Sequence, residues 1–300
     1  MYDLHRMVRR VALTFAQSLG VGLTLAVAAP GVWAQTSGSP APASVAAPAS
    51  EPVDTSLSPE CRVPGSQLYT LAPLKAVKRA LKEQRAVKVL AIGSSSTAGV
   101  GASSPLASYP IRLEGELERL FPGVEVEVVN RGISGEVAAA AAERMKAAIA
   151  EVEPDLVIWQ VGTNDALARV DLDTFAASVK DTIDWIVSHR IDVVLVDPQY
   201  TASLARDEHY TKVVKAIREA ARRDRVPLVQ RYESMRYLAG QASRSPGRSY
   251  LAKDQFHLND LGYRCMAEHV ARAITVSVLQ PETAAPAATQ SISGVQKPPN

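Results

Sequence analysis

Val87-Lys88-Val89-Leu90-Ala91-Ile92, followed without a break by Gly93-Ser94-Ser95-Ser96-Thr97-Ala98-Gly99, is a β-branched run that empties into a cluster of glycines and small hydroxyls. The first half reads as a strand and the second as the turn at its carboxyl end. Four more short apolar runs follow: Val124 to Val129, Leu156 to Val161, Val193 to Val196 and Pro227 to Gln230. Between them lie helix-period stretches, with leucines at 106, 113, 117 and 120, then Ala138 to Ala150 and Phe175 to Val187. Strands alternating with amphipathic helices predict a parallel sheet with helices on both faces. The runs at Leu156 and Val193 are almost wholly apolar, as central parallel strands covered on both faces must be. Ligands in such folds bind at the carboxyl ends of the strands, so candidate residues are sought there.

The Gly93–Gly99 turn fits several chemistries unequally. No Lys-Ser/Thr pair follows its glycines, which removes a P-loop. Gly99-Val100-Gly101 begins like a dinucleotide fingerprint, but the sixth position is Ser104 and the second strand ends in Asn130 where an acid is needed. Thr97 occupies the final glycine position of a G-x-S-x-G elbow. An ordinary Ser/Gly turn remains open on these residues alone.

Three later segments sit at equivalent places. Asn130-Arg131-Gly132-Ile133-Ser134-Gly135 follows the second strand, and its glycines allow close backbone approach to a ligand. Gly162-Thr163-Asn164-Asp165 follows the third, where an asparagine amide can face developing negative charge or the segment can simply cap a helix. Asp254-Gln255-Phe256-His257 precedes a closing helix expected from about Asn259 to Val278, with a spacing that lets the carboxylate orient the imidazole as a general base. His5, His189 and His269 are disfavoured by position; His209 follows the fourth strand and stays as a minor alternative.

The order of these blocks resembles the SGNH/GDSL hydrolase family: Gly-x-Ser after strand one, Asn-x-Gly-x-Ser-Gly after strand two, Gly-Thr-Asn-Asp after strand three, Asp-x-x-His before the last helix. The resemblance covers about residues 87–269. It implies a single flavodoxin-like three-layer α/β/α domain with a five-stranded parallel sheet. It further implies Ser95 as nucleophile, His257 as base and Asp254 as its orienting acid. The implied oxyanion hole comprises the backbone N–H groups of Ser95 and Gly135 and the Asn164 amide. Ser94 and Ser96 depart from the usual aspartate and leucine around the nucleophile, and Leu258 stands where proline is common. The activity implied is ester hydrolysis without cofactor or metal. A short acyl group, such as acetate on a carbohydrate or small ester, is the expected substrate. The alternatives are a lipase, lysophospholipase or thioesterase of the same fold, and a non-catalytic binding module on an esterase scaffold.

Composition bounds the rest. The 300 residues are 47% hydrophobic and 21% charged with a net charge of +2, an ordinary globular balance that points to no nucleic-acid partner. Residues 1–34 read as a signal peptide, with a basic start through Arg10, an uncharged stretch and Val32-Trp33-Ala34 before the cleavage point. An uncleaved membrane anchor is the alternative. Cleavage predicts a periplasmic or secreted protein with no stable membrane insertion. Residues 35–58 and 281–300, rich in Ala, Pro and Ser, are expected to be disordered, leaving one domain over 59–280. The two cysteines, Cys61 and Cys265, would pair in an oxidising compartment or else stand as two buried thiols.

Overall fold

The structure, a computed structural model, describes residues 51–243 and 248–282. The signal segment 1–34, most of the expected linker and nearly all of the expected C-terminal tail lie outside them. In chain order the elements are β1 (Tyr69–Thr70), α1 (Lys75–Lys82), β2 (Val87–Gly93), α2 (Ser95–Ala98), α3 (Tyr109–Leu120), β3 (Val126–Gly132), α4 (Ala138–Val152) and β4 (Leu156–Gln160). Then come α5 (Thr163–Leu167), α6 (Leu172–Ser188), β5 (Asp192–Val196), α7 (Glu208–Asp224), β6 (Leu228–Val229), α8 (Arg231–Ala242) and α9 (Asp260–Val278).

The strands form one sheet in the order β1-β6-β5-β4-β2-β3, parallel except for β1. Alternate residues of each strand point to opposite faces, and both faces are covered. Leu90, Ile92, Val157, Trp159, Val193 and Leu195 pack on α4, α6 and α7. Their neighbours Val89, Ala91, Leu156, Ile158, Val194 and Val196 pack on α1, α3 and α9. The three-layer expectation therefore holds.

The sheet has six strands, one more than expected. The extra strand, β1, is a two-residue antiparallel pairing of Tyr69 and Thr70 with Val229 and Leu228 that covers the exposed edge of β6. Two residues carry no period for a sequence to display. β3 also starts and ends later than its apolar run, because the ladder with β2 continues through Asn130↔Ala91, Arg131↔Ile92 and Gly132↔Gly93. Parallel pairing, not strand propensity, holds those three residues extended.

The expected disorder up to residue 58 is corrected for its last eight residues. Arg272 Nε donates to Asp54 Oδ2 at 2.7 Å, Ser58 bonds both Glu268 oxygens from its N–H and hydroxyl at 2.8 and 2.7 Å, and Leu57 is buried. A few specific contacts to α9 suffice to order a segment whose composition alone suggests none. The same region holds the Cys61–Cys265 disulfide, 204 residues apart in sequence, which ties this segment to α9.

Beside the disulfide, buried His269 faces the Cys61 carbonyl with its Nε2 at 2.7 Å. Burial pulls its pKa down to about 4 from 6.5. Between those values the unfolded chain holds a proton the folded chain excludes, so this contribution is present above pH 6.5 and lost as pH falls toward 4. Against His269→Gln, whose amide can still donate to Cys61 O, the wild type is expected to lose about 3 kcal/mol of relative stability from pH 7 to pH 4 in urea titrations.

Candidate active site

The carboxyl ends of β2, β3 and β4 lie side by side, and the sequence at each end is built to hold one short turn. After Gly93, Ser94 occupies the N-cap position of α2 without a side-chain capping bond, and Ser95 is the first helical residue, where a backbone N–H has no intrahelical acceptor. Ser94 is buried, and both its N–H and its hydroxyl donate to Gln160 Oε1 at 3.2 Å. The Thr97 hydroxyl reaches the same oxygen at 3.5 Å. Gln160, the last residue of β4, therefore holds the turn at the position where Ser94 departs from the usual aspartate.

The β3 end supports the turn from the other side. Asn130 Nδ2 donates to Thr97 O at 2.9 Å, while its Oδ1 accepts from Gly132 N at 2.9 Å. A Cβ on Gly132 would lie 2.2 Å from Ala98 N and 2.6 Å from Thr97 C. The close approach expected of this glycine is thus to α2 and not to a ligand. Gly135, at φ +81°, is exposed, and a Cβ there would meet nothing within 4 Å. Its left-handed backbone suits glycine.

Asn164, the second residue of α5, donates from Nδ2 to Glu136 O at 2.8 Å. An amide group carries two N–H bonds, so one pins Asn164 beside Gly135 and the other stays available. The neighbouring residues do not cap their own helix. Asp165 accepts from Ala138 N at 2.9 Å, capping α4 instead, and burial raises its pKa. The Thr163 hydroxyl donates to Gln199 Oε1 at 3.3 Å.

Asp254 and His257 stand in a loop closed by an isolated bridge between Leu251 and Leu258 and by Ala252 N donating to His257 O at 2.8 Å. Gln255 turns the chain at φ +56°. Asp254 Oδ1 accepts from Phe256 N and His257 N, each at 3.0 Å, and Oδ2 lies 2.7 Å from His257 Nδ1. A carboxylate only accepts, so Nδ1 carries the proton and Nε2 keeps a free lone pair. The imidazole, followed by the Phe256 N–H, holds the Asp254 carboxyl at about 2, below the usual carboxylate range. The side chain of Asp254 is half exposed and that of His257 one-fifth exposed.

The loop abuts the segment leaving the Ser95 turn. A Cβ on Gly101 would lie 3.0 Å from His257 Cβ and 2.5 Å from Leu258 O, and the Tyr263 hydroxyl donates to Val100 O at 2.6 Å. Gln199 Nε2 donates to Phe256 O at 3.4 Å, joining the His257 loop to the Asn164 segment through Thr163. Among the described residues the structure therefore joins Asp254 to His257, and Asn164 to the Gly135–Glu136 peptide. It holds Ser95 on the adjoining turn without a Ser95–His257 hydrogen bond. Catalytic hydrogen bonds are commonly long before substrate binds. His209, the alternative base, is the second residue of α7 and leaves Nε2 buried without a partner among the described residues.

Gln160, Gln199 and Arg231, whose Nη2 donates to Ser96 Oγ at 2.9 Å, escape the sequence reading. The first two were within reach of it: each is a polar residue ending or following an apolar strand on the side where ligands bind.

Comparison with solved structures places this architecture. A two-domain esterase active on acetylated mannans, crystallised with mannopentaose, is similar at TM-score 0.60 and 21% identity over 74% of this chain. This chain spans 60% of that protein's length. An acetyl xylan esterase is similar at TM-score 0.54 and 25% identity, over 63% of this chain and all of its own. TesA is similar at TM-score 0.53 and 20% identity, over 62% of this chain and 97% of its own. No curated protein matches the sequence. Residues 60–280 match the non-GDSL lipase-like family, about three-quarters of the chain. By that match and by its architecture, the chain belongs to the non-GDSL lipase-like family and carries the SGNH-type hydrolase fold.

Proposed function

We propose that the protein is an exported serine esterase that removes short acyl groups, acetate foremost, from a carbohydrate. The observation that carries the reading is the Asp254–His257 pair, 2.7 Å apart, on a loop packed against the segment that follows Ser95. His257 Nε2 takes the proton from Ser95 Oγ as that oxygen forms a bond to the ester carbonyl carbon. The carbonyl oxygen becomes an oxyanion, which receives hydrogen bonds from Ser95 N–H, Gly135 N–H and the free N–H of Asn164. Collapse breaks the bond to the alcohol oxygen, which takes the proton from His257. Water, deprotonated by the same imidazole, then releases the acyl group and restores Ser95.

The carbohydrate assignment draws on two of the similar structures, one described as active on acetylated mannans and the other as an acetyl xylan esterase. The Cys61–Cys265 disulfide suits an oxidising compartment, in keeping with export. No helix among the described residues is long and apolar enough to cross a membrane.

The test is release of acetate from acetylated xylan and mannan oligosaccharides, beside p-nitrophenyl acetate, butyrate and octanoate. Turnover that falls with acyl length and extends to the glycans is expected. Preference for octanoate would replace the assignment with a lipase or thioesterase, and no turnover of any ester would leave the binding module.

Asn164→Ala is expected to lower kcat about 100- to 1000-fold, as for loss of one oxyanion donor. The lost bond to Glu136 O is worth only about 1 kcal/mol, so the variant should stay folded by circular dichroism. Unchanged turnover would remove Asn164 from the site.

A further inference from the structure

Arg231 opens α8 immediately after the short β6 strand and is 3% exposed. Its Nη2 donates to the hydroxyl of Ser96, the residue after Ser95, at 2.9 Å. Its Nε and Nη1 are buried with no hydrogen-bond partner among the described residues. Nor does it form an ion pair within the described residues. Asp197, the acid that acts on it, is fully buried, accepts from Tyr232 N at 2.8 Å, and turns its other oxygen to Arg218 Nε at 3.6 Å. The tyrosines at 109, 210 and 263 are also its neighbours, and burial raises the pKa of each, so they remain neutral phenols. Arg231 also lines a cavity of about 20 Å³ with Leu258, the residue after His257, and with His269.

A guanidinium does not deprotonate in a protein, and burying one without a carboxylate in contact is unfavourable. An apolar side chain of similar volume would pack α8 more cheaply. The retained charge sits under the one turn where negative charge must develop, in surroundings of low dielectric where a fixed cation acts strongly.

We propose that Arg231 is a positioning residue of the esterase site, holding the Ser95 turn through Ser96 Oγ and supplying a buried positive charge beneath it. The proposal rests on the esterase reading. It ranks Arg231 below the direct oxyanion donors, because it acts through Ser96 and from behind the turn. Loss of such a supporting group is expected to cost about 10- to 100-fold in kcat.

The experiment measures kcat and KM for p-nitrophenyl acetate in wild type, Ser95→Ala, Arg231→Met, Arg231→Lys, Ser96→Ala and the Ser96→Ala/Arg231→Met double variant. Arg231→Met should lower kcat by that factor with KM within about twofold, as for an interaction felt in the transition state. Arg231→Lys, which retains a cation, should recover a large part of the loss. The double variant should fall no further than Arg231→Met, since both changes break one connection. Wild-type kcat in Arg231→Met, additive losses in the double variant, or a loss that lysine does not relieve would overturn the proposal. If Arg231→Met does not fold, Ser96→Ala carries the test alone: a lowered kcat with KM within about twofold supports the proposal, and wild-type kcat overturns it. Persistence of turnover in Ser95→Ala would instead overturn the esterase reading itself.

Discussion

Ser95→Ala is expected to lower ester turnover roughly a million-fold, the scale seen when the nucleophile of a serine hydrolase is removed. The stability of the fold should barely move. Ser95 Oγ makes no hydrogen bond among the described residues, so its removal leaves no buried partner unpaired. The turn itself is fixed by its neighbours, through Ser94 and Thr97 on Gln160 Oε1 and through Asn130 on Thr97 O. A surface change of that kind lies within about 0.5 kcal/mol. Turnover of p-nitrophenyl acetate and the urea midpoint, measured on the same preparation, separate the two effects. A variant that loses stability together with activity would mean that Ser95 holds the turn rather than acting from it.

The second large effect falls on stability. Cys61→Ala/Cys265→Ala is expected to lower the free energy of unfolding by up to about 5 kcal/mol, on the chain-entropy account of a loop this long. The bridge joins the first described segment to the last helix across 204 residues of sequence. Both cysteines are buried among Leu57, Val63, Leu68, Leu238 and Tyr250, so the double alanine also opens a small gap there. That total is comparable with the whole stability of many domains. Urea titration of the double variant beside wild type reads the difference directly. A shift below about 1 kcal/mol would show that the packing of 51–68 on α9, and not the covalent link, constrains the chain.

Both expectations trace to parts of the chain that differ in how much they disclose. Leu156-Val157-Ile158-Trp159 and Val193-Val194-Leu195-Val196 read as buried parallel strands because both of their faces are covered, and the structure buries all eight. β1 and the last three residues of β3 were hidden, since each is extended only by its ladder partner. The order of residues 51–58 was hidden for a related reason: it depends on Arg272 and Glu268, more than 200 positions away.

The candidate site divides in the same way. Asp254 and His257 announce themselves because their contact closes over three residues. Ser95 and Asn164 stand in turns whose glycines and hydroxyls mark strand ends. What holds those turns is distant in sequence: Gln160 lies 66 positions from Ser94, and Arg231 lies 135 from Ser96. Gly132 was visible as a glycine, but only the structure shows that α2 occupies the space its side chain would need.

The central claim is that Ser95 is an activated nucleophile, and reaction with a fluorophosphonate tests it most directly. Such a reagent forms a bond from Ser95 Oγ to phosphorus with loss of fluoride, and needs the same base that ester attack needs. Intact-mass and peptide analysis are expected to find one adduct per chain, on the peptide containing Ser95, formed far more slowly in His257→Ala. No adduct, an adduct on another residue, or labelling indifferent to His257 would contradict the account.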